Sequence, residues 1–327
     1  MKQIIIPSIK DVSLPFYLAV EEWVAQNLPE GEYFFAWQVA PTVICGRHQD
    51  IAAEINLEFA RENNIDVVRR KSGGGAVYAD RNNVMFSYIT PSDSVQSSFH
   101  SYTSMICSML RSLGINAEAT GRNDIAVNDK KIAGNAFFKL PGKSIVHGTM
   151  LYDADFETMN RVLTPSRAKR LSKGVVSVPS RVTTLRNLGL DISCSEFIGK
   201  TLNFLCRDGE YRLTEDDLKQ IDVIYSTYLD PGFLKIEEIS SENHRTYIPG
   251  VGEIGIKFLT DADGLIKDVS LSGDFFHLQN VQKELTDKLL NVPYRRRDIE
   301  NILDTICLDS FIVGLNHENI KSILPKI

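Results

Sequence analysis

The run Arg69-Arg70-Lys71-Ser72-Gly73-Gly74-Gly75-Ala76-Val77-Tyr78-Ala79-Asp80 carries the strongest chemical signal in this chain. Glycine has no side chain to block a close approach, and successive backbone amides can form a nest for an anion. Three glycines fed by two arginines and followed by strand-forming residues therefore point to phosphate held against bare backbone. The same triplet also fits a tight turn, and Arg69 to Lys71 a solvated strand. Neither common nucleotide motif is present: there is no G-x-x-x-x-G-K-[ST] run and no G-x-G-x-x-G opening a helix. A less widespread nucleotide fold is implied.

A second signal lies further along. Ile125-Ala126-Val127, Asn128-Asp129 and Lys130-Lys131-Ile132 read as a hairpin, because Asn and Asp tolerate the positive φ of a two-residue primed turn. That loop pairs Val127 with Lys130, Ala126 with Lys131, Ile125 with Ile132 and Asp124 with Ala133, and paired residues share a face. Ile125, Val127, Ile132 and Gly134 then face the packing side, while Asp124, Ala126, Lys131, Ala133 and Asn135 face the other. Lys131 and Asp124 become diagonal neighbours above small Ala126 and Ala133, which suits a phosphate with its magnesium ion. An exposed ion pair would look the same. Lys130 should point away. His147, in a strand from Ser144 to Tyr152, reads as a satisfied packing residue rather than a catalyst, and nothing local makes it a metal ligand. The stretch from Leu163 to Val182, with Lys173, Gly174, Ser177 and Arg181 among its charged and small residues, reads as a mobile loop: a linker, or a lid over an anionic intermediate.

These residues need elements to position them. Ser13 reads as the N-cap of a helix with Pro15 in its first turn, followed by an apolar face from Phe16 to Gln26. Strands are expected at Tyr33 to Val39, Thr42 to Cys45, Asp66 to Arg70 and Asn83 to Ile89, with helices at Leu57 to Asn63 and Ser97 to Leu113. Helical pattern returns at Ser195 to Arg207 and Glu215 to Tyr228. A linker follows around Asp230-Pro231-Gly232 and Ser240 to His244. Beyond it lie a strand pair, Glu253 to Leu259 and Ile266 to Leu271, and helices at Val281 to Leu290, Asp298 to Ile306 and Glu318 to Leu324. Strict β-α-β alternation is lacking, so the class is α+β, with a large mixed sheet and a small second α+β domain that shows no obvious catalytic cluster.

Composition agrees. The 327 residues, 43% hydrophobic and 24% charged, suit a globular protein with one large and one small domain. A net charge of -6 argues against general nucleic-acid binding. Five scattered cysteines without a C-x-x-C pair suggest neither disulfides nor zinc, and no apolar run reaches membrane-spanning length. A cytoplasmic protein is expected.

Taken together, several motifs resemble the lipoate-protein ligase family. The Arg69 to Val77 run is similar to its signature, and Gly121-Arg122-Asn123-Asp124 with Lys131-Ile132-Ala133-Gly134-Asn135-Ala136 to its lysine motif. Gly46-Arg47-x-Gln49, His147-Gly148-Thr149 and the stretch from Ser172 to Val182 match in order. The resemblance implies a catalytic domain of the biotin/lipoate ligase type, set at residues 1–240, and an accessory domain at 241–327. It implies a two-step reaction in which lipoate and ATP give lipoyl-AMP, and the acyl group then passes to a lysine of a lipoyl carrier domain. The carriers would be those of 2-oxoacid dehydrogenase complexes and the glycine cleavage system, and the enzyme a monomer.

Residue by residue, the resemblance makes Lys131 the catalytic group, holding the acyl carbonyl and α-phosphate. Arg70, Gly75, Ala76, Val77, Tyr78, Asn123 and Asp124 would bind ATP, with Asp124 beside Mg2+. Trp37, Ser72, Gly73, Gly74, Val77, Ala133, Gly134, His147 and Gly148 would line the lipoate site. Lys173, Gly174, Ser177 and Arg181 would cover the adenylate. Ala79 stands where many members carry histidine, and the stretch after Tyr228 lacks an aromatic-rich segment. Two alternatives remain at this point: a lipoyl or octanoyl transferase of the same fold that needs no ATP, and a non-catalytic binder of lipoyl domains. The first would need a cysteine nucleophile, and none lies between Cys107 and Cys194.

Overall fold

The computed structural model describes residues 1–7, 12–92, 94–120, 123–164, 181–234 and 244–324. Its strands are β1 (Lys2–Ile5), β2 (Tyr33–Trp37), β3 (Thr42–Cys45), β4 (Asp66–Arg69), β5 (Val77–Ala79), β6 (Val84–Thr90), β7 (Glu118–Thr120), β8 (Asp124–Val127), β9 (Lys130–Leu140), β10 (Lys143–Met150), β11 (Glu210–Arg212), β12 (His244–Ile248), β13 (Gly252–Thr260) and β14 (Ile266–Gly273). The helices are α1 (Leu14–Asn27), α2 (Ile51–Glu54), α3 (Leu57–Glu62), α4 (Val95–Ser112), α5 (Phe156–Val162), α6 (Cys194–Leu205), α7 (Glu215–Tyr228), α8 (Pro231–Leu234), α9 (Val281–Leu289), α10 (Arg296–Leu303) and α11 (His317–Ser322).

Strand β6 is the centre of the large sheet, ordered β11-β1-β2-β6-β10-β9-β8-β7. All seven of its residues are buried, so both sheet faces must be covered. Alternation decides what each face meets. Phe35, Met85, Ile89 and Ile145 pack with α1 and α7, whereas Phe34, Phe86, Tyr88 and Val146 pack with α4 and α6. β1 runs parallel to β2 and β11, while β6 and β10 are antiparallel to their neighbours, which makes the sheet mixed. The α+β class is as expected.

Strands β3 and β4 lie where expected, and β5 follows the glycine run as expected; the three form a separate sheet with β3 central. Less legible were β1, β7, β11 and β12, which carry little periodicity in three to five residues. Ser13 precedes α1 in extended conformation but does not cap it: its hydroxyl instead reaches the Tyr225 hydroxyl, 2.9 Å away. Around the expected linker, residues 231–234 form the short α8; residues 235–243 lie outside the described part.

Strands β12 to β14 and helices α9 to α11 enclose their own core, including Ile254, Phe275, Leu285 and Leu303. This unit also packs on the first. Phe276, 1% exposed, enters the core shared by Tyr102 and Phe137, with ring centroids 5.5 Å from Phe137 and 6.1 Å from Phe99. Arg245 pairs with Asp50 at 2.8 Å.

Candidate active site

Lys131 is placed by a hairpin that is nearly the expected one. Asn128 and Asp129 have φ of 49° and 61°, the left-handed pair that a primed turn needs. Val127 pairs with Lys130 and Ala126 with Lys131, but the register then shifts, so Ile125 faces Ala133 and Asp124 faces Gly134. The expected pairs Ile125–Ile132 and Asp124–Ala133 are thus displaced by one residue. The cause is a bulge with a visible partner. The Lys131 amide donates to the Arg181 carbonyl at 2.8 Å, and the Thr183 amide donates to the Lys131 carbonyl at 3.0 Å. Its backbone is thereby committed to residues 181–183. Ala133 consequently joins the core, and Gly134, not Ala133, is the cleared floor. A Cβ on Gly134 would lie 2.5 Å from the Lys131 Nζ. Lys130 is exposed, as expected.

Asp124 bridges two cations. Its Oδ1 is 2.7 Å from the Lys131 Nζ and its Oδ2 3.4 Å from Arg181 Nη2. Asn123 and Asn135 clasp across the same spot, each amide nitrogen donating to the other's backbone carbonyl at 2.6 and 2.8 Å.

The arginines that feed the glycine run turn inward. Arg69 Nη1 donates to the carbonyls of Gly46, Arg47 and Gln49 at 2.8 to 3.0 Å. Arg70 donates to the carbonyls of Ile44, Gly73 and Gly75 at 2.7 to 3.1 Å. Burial pushes the Arg70 guanidinium down to about 10 and lowers that of Arg69. Both therefore fix the shape of the loop from inside. Gly74 has φ of 91°, and a Cβ on Gly73 would lie 2.4 Å from the Phe275 carbonyl oxygen of the second domain. Close backbone approach explains these two glycines.

Sequence reasoning missed a buried relay. Glu21, on α1, accepts from the Ser87 hydroxyl at 2.5 Å and meets His147 Nδ1 at 2.8 Å. His147 Nε2 is 2.7 Å from the Ser72 hydroxyl, and the Trp37 indole donates to the Ser87 hydroxyl at 2.8 Å. One carboxylate thus connects Trp37 to the head of the glycine run. Two adjacent glutamates inside the apolar stretch Leu18 to Ala25 were the available signal, since a buried carboxylate needs partners.

These parts surround a cavity of about 700 Å³. Leu14, Leu18, Trp37, Ile44 and Met85 line its apolar part, and Asn123, Asp124, Lys131 and Arg181 its polar part. Arg70, Gly74, Gly75, Ala76, Val77, Gly134, His147 and Gly148 are also on the wall. Ser72, Gly73, Tyr78 and Ala133 are not; they support it from behind or belong to the packing. Lys173, Gly174 and Ser177, with most of the expected lid, lie outside the described residues. Tyr247, Gly250, Asp274 and Val313 of the second domain complete the wall, a contribution that its sequence did not announce. None of the five cysteines lines this cavity. Ala79 is fully buried against the α1 core.

Family models decide the relationship. That for the lipoyl protein ligase A/B catalytic domain matches residues 14–205, and that for the bacterial lipoate protein ligase C-terminus matches residues 240–324. The chain belongs to the lipoyl protein ligase family. It is an enzyme of the ligase class. This ligase is 34% identical to lipoate–protein ligase 1 of Staphylococcus aureus, over 93% of this chain and 94% of that one. Its fold matches that of P. falciparum LipL1, solved in complex with lipoate, at a TM-score of 0.79 and 22% identity, covering 98% of both chains. A lipoate-protein ligase A structure bound with ATP matches at a TM-score of 0.62 and 23% identity, covering 72% of the ligase and 99% of that chain.

Proposed function

We propose that the ligase activates lipoate with ATP as lipoyl-AMP and transfers the lipoyl group to a lysine of lipoyl carrier domains. The observation that carries this reading is a single cavity with an apolar part and a Lys131–Asp124–Arg181 cluster on one wall. An acyl chain and a triphosphate need these two environments side by side. Relatives of the same fold that bind lipoate and ATP support the pairing.

The chemistry follows from charge. A carboxylate is a poor acyl donor until one oxygen becomes part of a good leaving group. In the first step a lipoate oxygen attacks the α-phosphorus and pyrophosphate departs. In the second the acceptor amine attacks the acyl carbon and AMP leaves. Negative charge grows near the α-phosphate and then on the carbonyl oxygen, and the Lys131 ammonium stabilises both. The amides of Gly75 to Val77 face the nucleotide, and Arg70 keeps their loop in shape. Trp37, Leu18 and Met85 receive the acyl chain.

Mg2+ fits as a passenger on ATP. Among the described residues no group of three or more His, Cys, Asp or Glu could hold a metal alone, whereas magnesium commonly takes one or two carboxylates plus phosphate oxygens. Asp124 is the carboxylate for it. Residues 1–240 form the catalytic domain and 241–327 the accessory domain. The ligase works as a cytoplasmic monomer on carriers of the 2-oxoacid dehydrogenase and glycine cleavage type. No helix among the described residues is long and apolar enough to cross a membrane.

Cysteine-based acyl transfer lacks a nucleophile at this cavity, and a mere binder has no use for the cationic cluster. Lipoate-dependent exchange of pyrophosphate into ATP tests the reading. Exchange is expected in the intact enzyme and at least about 100-fold loss in Lys131→Met, the size of effect that removing one stabilising donor has. Absence of exchange with lipoate and octanoate alike would sink it.

A further inference from the structure

The two domains meet through a pair of histidines that the ligation chemistry does not use. His48 follows β3 and His277 follows β14; their Nε2 and Nδ1 atoms are 3.1 Å apart. The His48 ring stacks on Phe275 with centroids 4.6 Å apart. Interdomain backbone bonds flank the pair: the Gly273 amide donates to the His48 carbonyl at 2.8 Å, and the Gly74 amide to the Phe275 carbonyl at 3.2 Å. One hydrogen fits between two ring nitrogens at that spacing. With both rings protonated, N–H would face N–H.

The surroundings also disfavour positive charge. Arg47, from the same loop, acts on both rings, and Arg69 of β4 acts on His48. Asp50, at the start of α2, is paired with Arg245 of β12 at 2.8 Å, and Glu54 lies 4.0 Å from the same guanidinium. The second domain therefore brings a cation to this seam. The backbone beside His277 bridges to Ile312, which is apolar.

We propose that His48 and His277 form a proton-sensitive latch, holding the accessory domain against the glycine run at neutral pH and loosening it on acidification. Burial first, then the partner ring and the arginines, push His48 down to about 2; burial and Arg47 push His277 down to about 4. Separated, each ring titrates near its ordinary value of about 6.5. The docked state thus binds fewer protons than the separated one. Docking is strongest above that value and weakens as pH falls through it. Between about pH 7.5 and 5.5 the docking constant should fall roughly 100-fold for two such groups and roughly 10-fold for one.

Amide hydrogen exchange on the full chain tests this, because the Gly74 and Gly273 amides bond across the seam. With intrinsic exchange rates divided out, their protection should fall roughly 100-fold over that interval in the natural protein. His48→Phe and His277→Phe should each fall roughly 10-fold, and the double variant should show no pH dependence. Core amides of β6 and β10 should stay protected throughout. A double variant as pH-sensitive as the natural protein overturns the latch, as does an insensitive natural protein. Loss at β6 and β10 in parallel also overturns it, since that is general acid unfolding. The readout needs no substrate, so failure of the ligase reading leaves it unaffected.

Discussion

Lys131 is held by its backbone more than by its ion pair. Its amide and carbonyl are bonded to residues 181–183, so the ammonium has its own side-chain torsions to move through and little else. Gly134 supplies the space for that movement. Gly134→Ala would place a Cβ 2.5 Å from Nζ, the flexible end of the chain, so the lysine shifts and the fold does not. Pyrophosphate exchange should drop on the order of 100-fold, while the unfolding free energy stays within about 0.5 kcal/mol. Parallel kinetics and chemical denaturation would show whether the two separate. Glu21→Gln tests the relay: it replaces an acceptor shared by Ser87 and His147 with a group of equal size, at a cost of about 1–3 kcal/mol. KM for lipoate should rise and KM for ATP should not, because Trp37 and His147 line the cavity. Contact of Lys131 with Asp124 was legible because primed-turn chemistry is local. Glu21 was not legible, because its partners come from distant strands.

At the scale of elements, the bulge separates what sequence can reach from what it cannot. Asn128-Asp129 specifies the turn, but the register beyond it depends on a pairing with residues 181–183, far away in the chain. The glycine run repeats the lesson. Its conformational need was legible, yet Gly73 answers to the Phe275 carbonyl of another domain. Gly73→Ala should therefore disturb docking before it disturbs the catalytic sheet. Protection of the Gly273 amide should fall at least about 10-fold, with β6 amides unaffected, because overpacking against backbone costs about 1–3 kcal/mol. The long helices and β6 were readable within a residue or two, since their periodicity is repeated over many positions. The three-residue strands β7 and β11 repeat it too few times.

For the molecule as a whole, the second domain is part of the cavity wall and of the first domain's core. Phe276 is the anchor. Phe276→Ala should remove about 3–5 kcal/mol, the usual cost of deleting a buried phenylalanine. Calorimetry should then resolve two unfolding transitions where the natural protein shows one. Cysteine placement has a consequence at the same scale. A 1,2-dithiolane is a strained disulfide, open to thiolate attack, and the cavity wall offers it no thiol. Burial raises the Cys107 and Cys194 thiols and takes Cys206 up to about 11, while Asp309 raises Cys307. Few thiolates therefore exist at these four positions near neutral pH. The ligase can hold an oxidised dithiolane without being trapped as a mixed disulfide, and thiol-blocking reagents should leave its exchange activity intact.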